Sequence, residues 1–239
     1  MSELRQDPTT YDWVIIAKER AKRPYDFAKL VDAKPLIPSY SSECPFCPGN
    51  EAKTPPSLAV YGKEENWKIR VVPNKFAALT PEGDNTREGS SLMRKIHGYG
   101  RHEIVIETPL HNTCIARMTT GDIEELIKAY RDRYNVLKKD SNIKVIILFK
   151  NHGQAAGTSL EHPHTQIVAS PIVPPFIRRR YEIATQHYDN TGHCLYCDIL
   201  KSEIDDSVRI VDEKKFFVAL HPFASRYPFE TWIMPKIHS

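Results

Sequence analysis

Residues 159–170 read SLEHPHTQIVAS, so that His162, His164 and Gln166 recur at every second position. Side chains at that spacing share one face of a strand. Two imidazoles and a carboxamide on one face suit a metal site, or a nucleophile with a helper. A neutral imidazole is a competent nucleophile near neutral pH and can carry a transferred group covalently. Its attack on phosphorus would give a phosphoramidate, whose N–P bond is reactive enough to pass the group on. Gln166 could hold a phosphoryl oxygen without offering a rival nucleophile. Just upstream, NHGQAAGTS (151–159) is glycine-rich. There Gly153, Gly157 and Ser159 would allow close backbone approach to a phosphate and supply amide or hydroxyl donors.

Cysteines point to a metal. Four of the five form C-x-x-C pairs, Cys44/Cys47 and Cys194/Cys197, and Cys114 stands alone as a small buried residue. Structural zinc takes four N or S ligands in a tetrahedron, commonly two from a C-x-x-C turn. Cys44, Cys47, His111 and one of His162 or His164 make such a set, with the knuckle bent by the prolines and glycine of CPFCPG. A redox role for this pair would need a strand-to-helix context rather than a Pro-rich loop. Whichever histidine closes the site, the other is left about 7 Å along the strand, fixed by the clamp. Cys194, Cys197 and His238 make a second set that is one ligand short, so one zinc is expected and a second depends on residues beyond 239.

These groups need a scaffold. Strands are expected over 11–17, 68–72, 102–107, 143–150 and 163–170, with 80–91 as a polar, exposed excursion. The lysine-flanked apolar run IKVIILFK (143–150) suggests a central strand. TTGDIEELIKAYRDRYNVLKKD (119–140) keeps Ile123, Leu126, Ile127, Tyr130, Tyr134 and Leu137 at helical spacing, with Thr120 as its cap and Lys138 and Lys139 suiting its C-terminal dipole. A second helix is expected over 176–188. The chain also repeats itself. CPFC, KIRVVPNKFAAL and EIVIETPLH are echoed by CLYC, VRIVDEKKFFVAL and FETWIMPKIH, each series running from C-x-x-C through an Ala-Leu strand to a strand with Pro and His at its end. The second copy stops at Ser239, where the first continues into its helix and HPH segment, which predicts that the chain is a fragment.

Composition excludes little else. With 239 residues, 41% hydrophobic and 26% charged, the chain is of ordinary globular make-up, and its net charge of +3 gives no bulk attraction to nucleic acid. No apolar run approaches the roughly 20 residues of a membrane helix, and MSELRQDPTTYDW lacks the apolar core of a signal peptide, so a cytoplasmic location is expected. The basic runs KERAKR (18–23) and RRR (178–180) read by themselves as solvated faces.

Taken together, DWVIIAKERAKRP (12–24), CPFCPGNE (44–51), VVPNKFAAL (71–79), ETPLH (107–111), the pattern N-x-G-x-x-x-G-x-S-x-x-HPH-x-Q (151–166) and PFETWIMP (228–235) resemble the galactose-1-phosphate uridylyltransferase family, a branch of the histidine-triad superfamily. The resemblance implies an α+β fold of tandem histidine-triad-like halves, each an antiparallel sheet (half-barrel) with flanking helices. Residues 1–189 would be the N-terminal nucleotidyltransferase domain and 190–239 the start of a second, incomplete half. It implies that His164 is the nucleophile, His162 the fourth zinc ligand, and Gln166 the holder of the nucleotidyl phosphate. Asn151, Gly157 and Ser159 fall where the family contacts phosphates, and Asn74 and Phe76 where it holds the nucleoside. Arg20 and Arg23 fall on arginines that reach the diphosphate, with a homodimer as the expected assembly. The implied reaction is a double displacement moving uridylyl from UDP-hexose to a hexose 1-phosphate. Two departures matter. Lys75 stands where some relatives carry an acidic residue that holds ribose. The second C-x-x-C is absent from many uridylyltransferases and is similar to that of a related group moving adenylyl from ADP-glucose to phosphate. A histidine-triad hydrolase or nucleotide-binding protein, and a zinc-stabilised interaction module without catalysis, are the alternatives of other classes.

Overall fold

A computed structural model describes residues 2–17, 19–20 and 37–238. In chain order the elements are β1 (Glu3–Gln6), β2 (Trp13–Ile16), β3 (Ala59–Lys63), β4 (Asn66–Pro73), β5 (Glu88–Gly89), β6 (Arg94–Lys95), β7 (Arg101–Ile106), α1 (Thr120–Leu137), β8 (Val145–Phe149), β9 (His164–Ser170), α2 (Pro175–Thr191), α3 (Leu195–Asp206), β10 (Ile210–Glu213), β11 (Phe217–Leu220) and β12 (Trp232–Pro235). It is a mixed α and β chain whose sheets are antiparallel. No helix among the described residues is long and apolar enough to cross a membrane. The chain divides into two compact units, Asp32–Val173 and the segments Met1–Val31 with Pro174–Ser239.

The Asp32–Val173 unit is built on a sheet of order β3-β4-β7-β9-β8. Alternation along its central strands loads both faces with apolar side chains, because each face has a cover. Ile69, Val71, Val105, Ile167 and Ala169 pack under α1 with Leu126, Ala129 and Leu137. On the other face Val72, Ile104 and Ile106 pack with Trp67 and with Cys44, Phe46 and Cys47 of the knuckle loop. In β9 this sorting buries Thr165, Ile167 and Ala169 and leaves His164, Gln166 and Val168 half-exposed on the knuckle side. Buried polar groups join α1 to the sheet. Arg133 grips Glu103 with two bonds of 2.8 and 2.6 Å. Glu107 accepts from Tyr130 of α1 at 3.3 Å, and also from Thr165 Oγ1 and Lys150 Nζ, each at 2.6 Å.

Several expectations need correction. IKVIILFK forms β8, which is an edge strand rather than a central one. Ile146 and Leu148 of its apolar run reach the α1 core, so the run reports packing on that face and not the number of ladder partners. The cap of α1 is Thr119, not Thr120: Asp122 N–H donates to its hydroxyl, and the Asp122 carboxylate accepts from the Thr119 amide in a capping box. The buried stripe of α1 includes Arg133, paired with Glu103, whereas Ile127 and Tyr134 are exposed. Cys114 is only half-buried. The excursion is exposed as expected and carries the short β5–β6 hairpin. It returns through Gly100 at φ +154°, where a Cβ would collide with the Ala169 carbonyl.

In the unit formed by Met1–Val31 and Pro174–Ser239, β10, β11 and β12 make a three-stranded sheet packed on α3 through Leu200, Val218 and Leu220. Arg226 ties the N-terminal hairpin turn, donating to Asp12 Oδ2 at 2.7 Å and Thr10 Oγ1 at 3.0 Å. The sequence repeat maps onto the fold in a shifted register. In β10–β11–β12 the Ala-Leu segment FVAL is a strand pairing with the strand that leads to His238. In the other unit KFAAL is a turn and loop, and the strand paired with β7 is β4. Asn74 causes the difference, because its Oδ1 accepts the Phe76 amide at 2.8 Å and turns the chain away after Pro73.

Candidate active site

The knuckle CPFCPG is a tight turn. Asn50 donates its carboxamide to the carbonyls of Ser41 (3.2 Å) and Cys44 (2.8 Å), while Gly49 takes φ +85°. Cys44, Cys47, His111 and His162 converge, all buried, with their ligand atoms within 4.8 Å of one another. Cys47 Sγ lies 3.5 Å from His111 Nδ1 and 3.6 Å from His162 Nδ1. Bonds of about 2.3 Å to sulfur and 2.0–2.1 Å to nitrogen make tetrahedron edges of about 3.5 Å, so the spacing fits an ion at the centre. The tautomer fits as well. His162 Nε2 sits 2.7 Å from the Thr108 carbonyl, which can only accept, so the proton is on Nε2 and the Nδ1 lone pair faces the cluster. Burial pushes the His162 pKa down to about 4, which keeps the ring a neutral ligand. Burial, then the neighbouring Cys47, push the Cys44 thiol up, so this side chain gives its proton up readily only to a cation.

Of the two histidines that the spacing left open, His162 is in the cluster, and His164 is turned elsewhere. His164 Nδ1 donates to the His162 carbonyl at 2.8 Å, which leaves Nε2 with its lone pair. Phe46, the residue between the two cysteines, wedges against both rings, with centroids 6.1 Å from His162 and 5.3 Å from His164. One short loop thus supplies two thiols of the cluster and the surface that supports the imidazole outside it. His164 stands where two cavities meet. One, of about 450 Å³, is lined by Phe46, Thr54, Asn74, Phe76, Ser159 and Gln166. The other, of about 700 Å³, is lined by Asn151, His152, Gly153, Thr158, Ser159 and His162. An imidazole with a free lone pair, between a slot of nucleoside size and a polar loop, is arranged to attack a group that spans both.

The other sequence candidates fall as follows. Asn74, Phe76, Ser159 and Gln166 join His164 at the first cavity, and Asn151 and Ser159 at the second. Gly157 takes φ +81° in the 151–159 loop without lining either cavity. Arg20 is exposed in the other unit, its amide bonded to the Ala17 carbonyl at 3.0 Å, and Arg23 lies outside the described residues. Cys194, Cys197 and His238 do come together, with Cys197 Sγ 3.3 Å from His238 Nδ1, but as a half-exposed group of three. Sequence reasoning missed Phe46, Thr108 and His102. His102 Nε2 lies 2.8 Å from Gln166 Oε1, and the period-two pattern of HEIVIE, which puts His102 on the face of Ile104, could have found it.

The family profile "galactose-1-phosphate uridyl transferase, N-terminal domain" matches residues 1–174. ADP-glucose phosphorylase of Arabidopsis thaliana is 39% identical over 99% of this chain and 66% of its own length. The galactose-1-phosphate uridylyltransferase of Thermotoga maritima is 33% identical over 100% of this chain and 68% of its own. Among solved structures, that of the A. thaliana ADP-glucose phosphorylase with bound ADP-glucose superposes with a TM-score of 0.81 at 36% identity, over 100% of this chain and 69% of that one. A uridylyltransferase structure superposes at 0.70 and 27% identity, over 100% of this chain and 67% of that one. The chain spans about two thirds of the length of these relatives. It belongs to the galactose-1-phosphate uridylyltransferase family.

Proposed function

We propose that this chain carries the catalytic half-site of a nucleotidyltransferase that works through a nucleotidyl-histidine. The observation that carries the reading is the pair of opposed tautomers at 162 and 164. His162 offers Nδ1 to the cation site and His164 keeps Nε2 free beside it. Zinc in the Cys44, Cys47, His111 and His162 set would be structural, clamping the start of β9 to the knuckle. His164 Nε2 attacks the α-phosphorus of a nucleoside diphosphate sugar. The P–O bond to the sugar 1-phosphate breaks, and that sugar phosphate leaves with the bonding electron pair. The imidazolium formed is steadied by its Nδ1–H bond to the His162 carbonyl. Gln166 and the 151–159 loop hold the phosphoryl oxygens, and Asn74 and Phe76 the nucleoside. A phosphate acceptor then attacks the same phosphorus and frees His164. Two in-line displacements retain configuration at phosphorus.

The donor favoured is ADP-glucose, with inorganic phosphate as acceptor. The support is the higher identity to the A. thaliana phosphorylase than to the T. maritima uridylyltransferase, together with the second Cys-Cys-His group. This reverses the preference for UDP-hexose and hexose 1-phosphate drawn from the motif set alone. The test is incubation of full-length protein with ADP-glucose or UDP-glucose labelled in the α-phosphate. Acid-labile, base-stable label should form faster with ADP-glucose and be absent from His164→Gly. Faster labelling by UDP-glucose would restore the uridylyl assignment. Free nucleoside monophosphate released without acceptor would make the protein a hydrolase.

A further inference from the structure

Nucleotidyl transfer through His164 leaves His102 unassigned, although its ring touches Gln166 and Asn74, two polar side chains that line the first cavity. It lies on β7 opposite Val168, beside the Ile104–Gln166 pair, and so faces Gln166 diagonally. The Ala78 amide donates to His102 Nδ1 at 3.2 Å. That nitrogen is therefore the acceptor of the ring, and the proton is on Nε2. From there it can be donated to Gln166 Oε1 at 2.8 Å. A carboxamide has one accepting and one donating corner, so fixing its oxygen aims its nitrogen. No hydrogen bond among the described residues uses the Gln166 amide nitrogen, and Gln166 and His164 line the same cavity. Turned the other way, the carboxamide would set its oxygen against a phosphoryl oxygen. The same ring nitrogen lies 3.1 Å from Asn74 Nδ2, which with this tautomer is a contact between two donors and not a hydrogen bond, and Asn74 Oδ1 accepts from the Phe76 amide. With the Nε2 proton given to Gln166, the Asn74 amide protons stay available to a ligand.

We propose that His102 is a positioning residue that sets the orientation of Gln166, presenting its NH2 to the phosphoryl group that His164 receives. The assignment rests on the nucleotidyl-histidine reading. The test is single-turnover labelling of His164 from nucleoside diphosphate glucose in full-length wild type, His102→Leu, His102→Gln, Gln166→Ala and the His102→Leu/Gln166→Ala double variant. Losing one orienting hydrogen bond should slow labelling by about tenfold in His102→Leu. His102→Gln, which can donate from nearly the same place, should recover most of the rate. In the Gln166→Ala background His102→Leu should add less than about twofold, because the two act as one unit. A wild-type rate in His102→Leu, or the same tenfold loss whether or not Gln166 is present, would overturn the assignment while leaving the transfer reading intact. No label on the wild type would overturn both.

Discussion

The two Cys-Cys-His groups of this chain use the same residue types at similar spacings and end in different environments. The Cys44 group is buried throughout, offers four ligand atoms, and draws its fourth member from the segment that also bears His164. The Cys194 group offers three, two half-buried and one exposed, and its cysteines open α3 instead of forming a Pro-rich knuckle. Its His238 follows β12, so an ion there would join α3 to the sheet it already packs on. The difference lies in what a bound ion would hold. At the first group it would fix a segment whose neighbouring imidazole faces a cavity, and at the second it would fix a helix to a sheet. By this reading each C-x-x-C would be half of a staple, and the first has an imidazole two residues past its last member.

The largest effect separating the two groups is expected from removing one cysteine of each. Cys47→Ala should abolish one equivalent of bound metal, lower Tm by on the order of 10 °C and reduce His164 labelling by about a hundredfold or more. Cys197→Ala should lower Tm by only a few degrees, with a far smaller loss of labelling. Equal losses from both, read by metal analysis, calorimetry and single-turnover labelling, would erase the distinction. Next in size is Phe46→Ala. Removing the wedge between the rings should keep the metal and slow labelling by about tenfold, since the unligated imidazole loses its packing. Loss of metal instead would show that Phe46 supports the knuckle and not His164.

A smaller effect is pH dependence. Burial and the adjacent Cys47 raise the Cys44 thiol, so a cation must displace its proton. His162, lowered to about 4, is already neutral and competes little. Affinity at the buried group should fall as pH falls below the raised thiol pKa, by roughly ten- to a hundredfold per pH unit for one or two protons released, and should level off above it. A competition titration with a chromophoric chelator between pH 6 and 8 measures the slope. A flat profile would mean that the thiols are already ionised without metal.

Much of this was legible in the sequence, because the chemistry is concentrated in short runs. The alternation in HTQIVAS puts His164 and Gln166 on one face, and CPFC with His111 defines most of a ligand set without any tertiary information. The choice between His162 and His164 was not legible from spacing, since it depends on which ring nitrogen meets a carbonyl. Strand order was also hidden. The apolar run of β8 suggests a central strand, yet β8 lies at the edge of the sheet with Ile146 and Leu148 packed against the α1 core. Arg133 and Glu103 break the binary pattern as a pair, and a pair separated in sequence by thirty residues is invisible until α1 and β7 meet. His102 was missed for a similar reason, because its significance comes from Gln166 on the neighbouring strand.

The most direct test of the central claim is peptide mapping by mass spectrometry of protein quenched in alkali during turnover, with metal measured on the same sample. One nucleotidyl group on His164, none on His162, and an undiminished metal content are the expected result. An adduct on His162, or metal lost in step with adduct formation, would contradict the division of labour between the clamped imidazole and its free neighbour.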